Sequence, residues 1–303
     1  MHDSAPPEKV SATPKFTPGS SRLAFLAAIL GSSFLAFGPW MVRLADVGPV
    51  ASGFWRLALA APLLLLIGRA AKQPIPRLPF ALWITLAVGG LFFAADLAAW
   101  HGGIIRTRLA NATLFANITG FTFAIYGFLA IRAWPGRNQL VALLLAAIGV
   151  GLLLGRSYQL SPEHLVGDLL CLLAGLFYTF YLIALDRARD QVKPLPALTI
   201  STLAGIVPLL LFAVATGDPI WPQDWTPLLV LALSSQVLGQ GLIVFSVGHL
   251  PPVVIGIALL CQPVIASAIG WLAYGETLGA VDWIGAAAIG VALVLVRWPD
   301  RTS

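Results

Sequence analysis

The chain has 303 residues, 58% hydrophobic and 10% charged, with a mean hydropathy of +0.88. Soluble domains carry about 25% charged residues, so this composition excludes an ordinary water-soluble fold. The net charge of +5 does not signal nucleic-acid binding, because the basic residues fall in short connectors between apolar runs, as in membrane-protein loops.

In chain order, residues 1–20 ("MHDSAPPEKVSATPKFTPGS") are polar and rich in Pro and Ser. They are expected to form a disordered cytoplasmic tail without a classical signal peptide. Crossing the hydrocarbon core takes about 20 apolar residues. Ten such runs follow, at 22–44, 49–69, 79–101, 107–131, 138–155, 166–185, 195–216, 225–246, 252–274 and 281–297, separated by Pro, Gly or charged connectors. With the N-terminus inside, thirteen Lys and Arg residues lie on the inner side, against Arg43, Arg106, Arg108 and Arg156 outside and Arg56 within a span. That asymmetry puts both termini in the cytoplasm. Cys171 and Cys261 sit in apolar runs and read as small buried hydrophobes, not as a disulfide framework.

The two halves resemble each other. "LLLAAIGVGLLL" (143–154) matches "GAAAIGVALVLV" (285–296), and "APLLLL" (61–66) pairs with "VPLLLF" (207–212). The expectation is a five-helix repeat at 21–157 and a second at 165–298. Five is odd, so the second repeat is inverted, as in secondary transporters whose substrate site lies at the midplane.

Three stretches carry a family resemblance: "FWRLALAAPLLLL" (54–66), "DLAAWHGGIIRTRLANATLFANI" (96–118) and "LLCQPVIASAIGWLAYGETL" (259–278). With them the chain resembles the drug/metabolite transporter superfamily, in particular its ten-helix EamA-type members. The stretch from Asp96 looks most like the amino-acid exporter branch, including aromatic amino-acid exporters. Pro263 and Glu276 stand where the family's second-half element has them, whereas the first half has Gly120 and Ala133, so the repeats have diverged. The resemblance implies an all-α transporter of amino acids or related small metabolites, working in export as a multi-pass protein of the bacterial inner membrane.

Ionisable and amide residues inside spans are functional candidates. Asp96 lies six residues before the outer end of the third run and Arg56 seven residues into the second. At ~1.5 Å per residue both are roughly 9–10 Å deep, so they can meet. A structural or coupling ion pair is one reading. Arg56 binding a substrate carboxylate, or Asp96 binding an ammonium group or a proton, are the others. Trp100 follows Asp96 by one helical turn and shares its face, whereas His101 at the run's end reads as a solvated cap. Asn117, Gln236, Gln240 and Gln262 add amides, and Trp40 and Tyr178 add aromatic walls.

Gly38, Pro39, Gly120 and Pro263 are the expected hinges for alternating access. An aromatic and amide-lined cavity with one buried cation suits a zwitterion better than a phosphorylated substrate, which calls for several Arg or Lys. The rival transporter class is a proton-coupled multidrug exporter. The first run lacks the membrane glutamate that small relatives in the superfamily carry, although Asp96 could replace it. An intramembrane enzyme is disfavoured by the absence of H-E-x-x-H, G-x-S-x-G and paired carboxylates, and a non-transporting receptor by ten helices in inverted halves. No metal or cofactor is expected. The partners are a small substrate and the bilayer, with a single chain as the unit.

Overall fold

The computed structural model describes residues 18–107, 109–132, 134–155, 163–274 and 279–296, and the described residues form helices and connectors without strands. Seven stretches are long and apolar enough to cross a membrane: Ser21–Leu44, Pro49–Ala70, Phe80–Ile104, Asn111–Ile131, Leu165–Ala188, Pro194–Ala215 and Thr226–Val247. Arg137–Leu152, Pro252–Ile265 and Ala280–Leu295 are shorter apolar helices. The tail before Pro18 and Glu276, both singled out in the sequence, lie outside the described residues.

Prolines set many of the helix starts. α3 (Pro49–Ala70), α9 (Pro194–Ala215) and α12 (Pro252–Leu259) each open on a proline, where the missing N–H removes a donor that would have no helical partner. α3 and α9 also continue through internal Pro62 and Pro208. These are the prolines of the two matching segments, "APLLLL" and "VPLLLF".

Several runs read as single helices are broken. The first divides into α1 (Pro18–Leu35) and α2 (Gly38–Leu44), with Ala36 and Phe37 in a turn. Pro39 supplies no N–H for the carbonyl of Leu35, so the helix cannot run through unchanged. The fourth run divides into α5 (Leu109–Ala116) and α6 (Ile118–Ile131) at Asn117. There the Asn117 Nδ2 donates to the Thr113 carbonyl at 2.6 Å, where a backbone N–H also donates at 3.1 Å. Such side-chain competition loosens a helix. The ninth run divides into α12 and α13 (Gln262–Tyr274) at Leu260 and Cys261. Pro263 withholds an N–H from Leu259 as Pro39 does from Leu35. The eighth run is α10 (Thr226–Leu231), a π-helical segment (Ala232–Gln240) and α11 (Gly241–Val247). π-helical turns are rare and concentrate at functional sites.

The remaining helices are α4 (Phe80–Ile104), α7 (Arg137–Gly155), α8 (Leu165–Ala188) and α14 (Ala280–Leu295). α3 packs on α9, α6 on α12 and α7 on α14. α4 lies against α8 and α9, while the π-helical segment lies against α1 and α3. α8 is flanked by α5 and α6, and α1 by α12 and α13.

Glycines permit the tightest crossings. A Cβ on Gly256 would sit 2.2 Å from the Gly120 carbonyl oxygen, and one on Gly120 2.7 Å from that of Gly256. A Cβ on Gly149 would sit 2.7 Å from the Gly285 carbonyl, in the α7–α14 contact. Helices in a bilayer associate through such close approach.

One end of the bundle is tied together by polar contacts. Asp218 Oδ2 accepts from the backbone N–H groups of Val50 and Ala51 at 2.8 and 3.1 Å, capping α3 from the connector after α9. Asp46 accepts from the N–H groups of Gln223 and Asp224, and Trp55 Nε1 donates to the Ile220 carbonyl at 2.6 Å. Trp55 also packs against Trp221 and Trp225. Beside this closure Asp168, in the first turn of α8, accepts from Thr107 Oγ1 at 2.6 Å and Asn111 Nδ2 at 3.4 Å.

Candidate functional site

A cavity of about 60 Å³ lies where three of the four divided runs, the first, fourth and ninth, meet α3, α4 and α8. Leu35 ends α1, Ala116 and Asn117 mark the α5–α6 break, and Leu259 and Gln262 flank the α12–α13 break. Continuous helices contribute Arg56, Asp96, Trp100 and Tyr178 to the wall, and Gln240 comes from the end of the π-helical segment. Broken helices place unsatisfied backbone groups and side chains around a shared centre, the construction used by transporter sites.

Arg56 is 1% exposed and its Nε donates to Gln236 Oε1 at 3.1 Å, while Gln236 Nε2 donates to Thr202 Oγ1 at 3.0 Å. The guanidinium carbon lies 5.7 Å from the centroid of the Phe93 ring, and Phe93 stacks on Tyr181 at 4.6 Å. Hydrogen bonding to one amide and an aromatic face beneath hold the cation without a carboxylate contact. Asp96 is close enough to interact through space with Arg56. Yet neither carboxylate oxygen lies within 4.0 Å of it, and Asp96 makes no hydrogen bond among the described residues. The direct ion pair expected from depth is therefore corrected to a field interaction. Arg56 turns its Nε towards the second half of the chain, where Gln236 stands.

Trp100 Nε1 is likewise without a hydrogen-bond partner among the described residues, and is buried. Asp96 and Trp100, one turn apart on α4, line the same cavity, and Asp96 offers it an uncommitted acceptor. A buried polar group left unpaired costs about 1–3 kcal/mol, which a polar ligand could recover. Tyr178 and Gln240 already satisfy each other, with Gln240 Nε2 donating to the Tyr178 hydroxyl at 3.0 Å and that hydroxyl within 3.2 Å of Gln240 Oε1. Among the described residues no group of three or more His, Cys, Asp or Glu could hold a metal ion.

Residues 165–298 match the EamA-like transporter family. The second half of the chain is thus similar to EamA-like transporters. The threonine/homoserine exporter RhtA of Salmonella typhimurium strain LT2 is 27% identical over 303 residues, covering 93% of this chain and 97% of the exporter. The Escherichia coli K12 exporter of the same name is 26% identical over 93% of this chain and 92% of its own length. A WAT1-related chloroplastic protein of Arabidopsis thaliana is 23% identical over 90% of this chain and 69% of that protein. A protein of known crystal structure, 19% identical, superposes with a TM-score of 0.75 over 95% of this chain and 100% of the other. The chain is accordingly a multi-pass membrane protein whose described residues form an all-helical fold.

Of the residues singled out by sequence, Arg56, Asp96, Trp100, Asn117, Gly120, Tyr178, Gln240 and Gln262 line the cavity. Two do not. Trp40 packs with Trp100 against a separate small cluster around Met41, Ile104 and Cys171, and Gln236 stands behind Arg56. Gly38 and Pro39 open α2 and Pro263 follows the α12–α13 break, whereas Gly120 is pinned against Gly256. His101 is fully buried, not a solvated cap, because the start of α3 covers it. Its Nδ1 lies 2.7 Å from Ser52 Oγ and 3.1 Å from the Pro49 carbonyl. Sequence reasoning did not single out the lining residues Leu35, Leu97, Ala116, Thr119, Gly175 and Leu259. The one available signal was adjacency to Pro39 and Pro263.

Gln236 holds Arg56 without lining the cavity, and this makes its replacement informative. Gln236→Leu leaves the Arg56 Nε without its acceptor, a loss of about 1–3 kcal/mol. It is expected to reduce transport severalfold, with Gln236→Glu retaining more activity because an acceptor remains. Proteoliposome uptake alongside a thermal melt in detergent checks both outcomes.

Proposed function

We propose that this protein exports small amino acids, of the hydroxylated kind named for its bacterial relatives, by alternating access through the cavity between its broken helices. The single observation that carries the reading is the Asp96 carboxylate, which makes no hydrogen bond among the described residues and lines, one turn from Trp100, a cavity that also holds a buried arginine. Asp96 takes the substrate ammonium and Arg56 its carboxylate. Trp100, Asn117 and Gln262 serve the side chain, with Tyr178 and Gln240 as a fixed wall. These are charge-assisted contacts, stronger than neutral ones.

In this reading all ten apolar stretches cross the inner membrane, both termini are cytoplasmic, and residues 21–157 and 165–298 are inverted repeats behind the 1–20 tail. The packing supports it. Exchange the first five spans with the second five, and each helix contact given above maps onto another or onto itself. The α4–α8 contact corresponds to that of the π-helical segment and α11 with α1, and the α3–α9, α6–α12 and α7–α14 contacts map onto themselves. The basic connectors support the orientation.

Small-molecule sites usually span about 300–1,000 Å³, so a cavity of about 60 Å³ must widen to load. The breaks at Ala36–Phe37, Asn117 and Leu260–Cys261 are the natural places to bend, and the Asp218 and Asp46 contacts must part for the adjoining end to open. A proton-coupled cycle is a second reading favoured by the same carboxylate, because a proton and an ammonium group would compete for Asp96.

Counterflow tests the function. Proteoliposomes loaded with unlabelled L-threonine should accumulate labelled L-threonine and L-homoserine without a pH gradient, and should discriminate against N-acetylthreonine, which lacks the ammonium. Uptake of lipophilic cations with no uptake of any amino acid would overturn the reading in favour of a drug exporter.

A further inference from the structure

The opposite face of α4 carries a second cavity, unrelated to the transport site. Ala94, Ala98 and Gly102 are spaced by one helical turn and so form a single face, and they floor a groove of about 710 Å³ between α8 and α9. α8 and α9 are joined at the far end by the 189–193 connector and both pack on α4, so the groove opens where they part. Its walls are apolar, with Leu173 and Phe212 among them at 41% and 50% exposure. Such a groove beside a membrane span is filled by acyl chains, since water there would face only hydrocarbon.

Two observations identify the occupant more closely. First, Arg106 stands at one end of the groove, exposed, with its Nη1 donating to the Gly102 carbonyl at 2.7 Å and with no carboxylate within 4.0 Å among the described residues. The other charge at that rim, Asp218, is engaged by the N–H groups of Val50 and Ala51 and by Thr216. The uncommitted charge is thus positive. Second, the groove runs along α4 from Leu91 to Arg106, or roughly 22 Å at 1.5 Å per residue. One leaflet of the hydrocarbon core is roughly 15 Å deep, so the groove accommodates a leaflet-length acyl chain that ends at a cation of headgroup depth.

We propose that this groove is a phospholipid-binding site, with an acyl chain lying on the Ala94–Ala98–Gly102 face and the headgroup phosphate held by Arg106. The lipid belongs to the leaflet that Arg106 borders. It seals α4 on the side away from the transport cavity and braces α8 against α9.

Native mass spectrometry of the purified full chain with added phosphatidylglycerol tests the site. Wild-type protein should retain one tightly held phospholipid. Arg106→Gln should weaken retention ~tenfold, the loss of one charge-assisted contact, and diacylglycerol, which lacks the phosphate, should bind wild-type protein as weakly. Ala98→Phe fills the floor and should abolish retention. Leu173→Trp narrows the groove from an exposed wall position, and should do the same should Ala98→Phe prevent folding. Glycerol 3-phosphate should not bind. Equal retention of phospholipid by wild type and all three variants would reduce the groove to generic lipid contact and overturn the proposal. Binding of glycerol 3-phosphate without a chain would overturn it in favour of a free-phosphate site.

Discussion

Asp96→Asn should lower the affinity for amino-acid substrate by about 10- to 100-fold while leaving the melting temperature nearly unchanged. Asp96 faces the cavity and makes no hydrogen bond or close ion pair with the described protein groups. Its replacement by Asn therefore breaks no hydrogen bond or close ion pair in the empty protein and removes only the through-space interaction with Arg56. In the loaded protein it removes a charge-assisted contact worth about 1.5–3 kcal/mol. A structural ion pair would behave the other way, with a large fall in stability on leaving Arg56 buried and unpaired. Arg56 instead keeps its hydrogen bond to Gln236 and its place over Phe93. Equilibrium binding of labelled L-threonine, measured with a thermal melt on the same preparations, separates the two.

The second large effect is on folding. Gly256→Leu should destabilise the protein by about 1–3 kcal/mol or more, the cost of overpacking, and should lower the yield of folded protein. A Cβ at this position would stand 2.2 Å from a backbone oxygen of Gly120, an atom that cannot swing aside as a side-chain end can. α6 and α12 would have to separate, carrying with them the two helix breaks that frame the cavity. Gly290→Ala is the control: a Cβ there meets nothing within 4 Å, and its effect should be within about 0.5 kcal/mol. Detergent melting curves of the two variants provide the comparison.

Most of the helix plan was legible in the sequence because each apolar run has the length that a bilayer demands and is punctuated by Pro, Gly or charge. The break at Ala36–Phe37 was legible because Pro39, just after it, announces it. The break at Asn117 was not, since the residue that loosens the helix is an amide whose side chain turns back on the Thr113 carbonyl. Nor was the π-helical segment at Ala232–Gln240, where nothing in "ALSSQVLGQ" signals an extra residue per turn.

In the site, polar residues stood out because they are expensive in a membrane. Leu35, Leu97 and Leu259 did not, because a leucine facing a cavity looks the same in sequence as one facing lipid. Arg56 and Asp96 line one cavity, but Arg56's hydrogen-bond partner lies 180 residues away in the other half. His101 looked exposed by its place near a helix end and is buried because α3 begins directly over it.

The central claim is that substrate occupies the cavity between the helix breaks, and substrate protection of a single cysteine tests it most directly. Leu259→Cys would be placed in a background of Cys171→Ala and Cys261→Ala, and its labelling by a small thiol reagent measured with and without saturating L-threonine. The account predicts that threonine slows labelling of this position severalfold and leaves a Leu129→Cys control on the exposed surface of α6 unaffected. Labelling of Leu259→Cys at the same rate with and without substrate, in a variant that still transports, would contradict it.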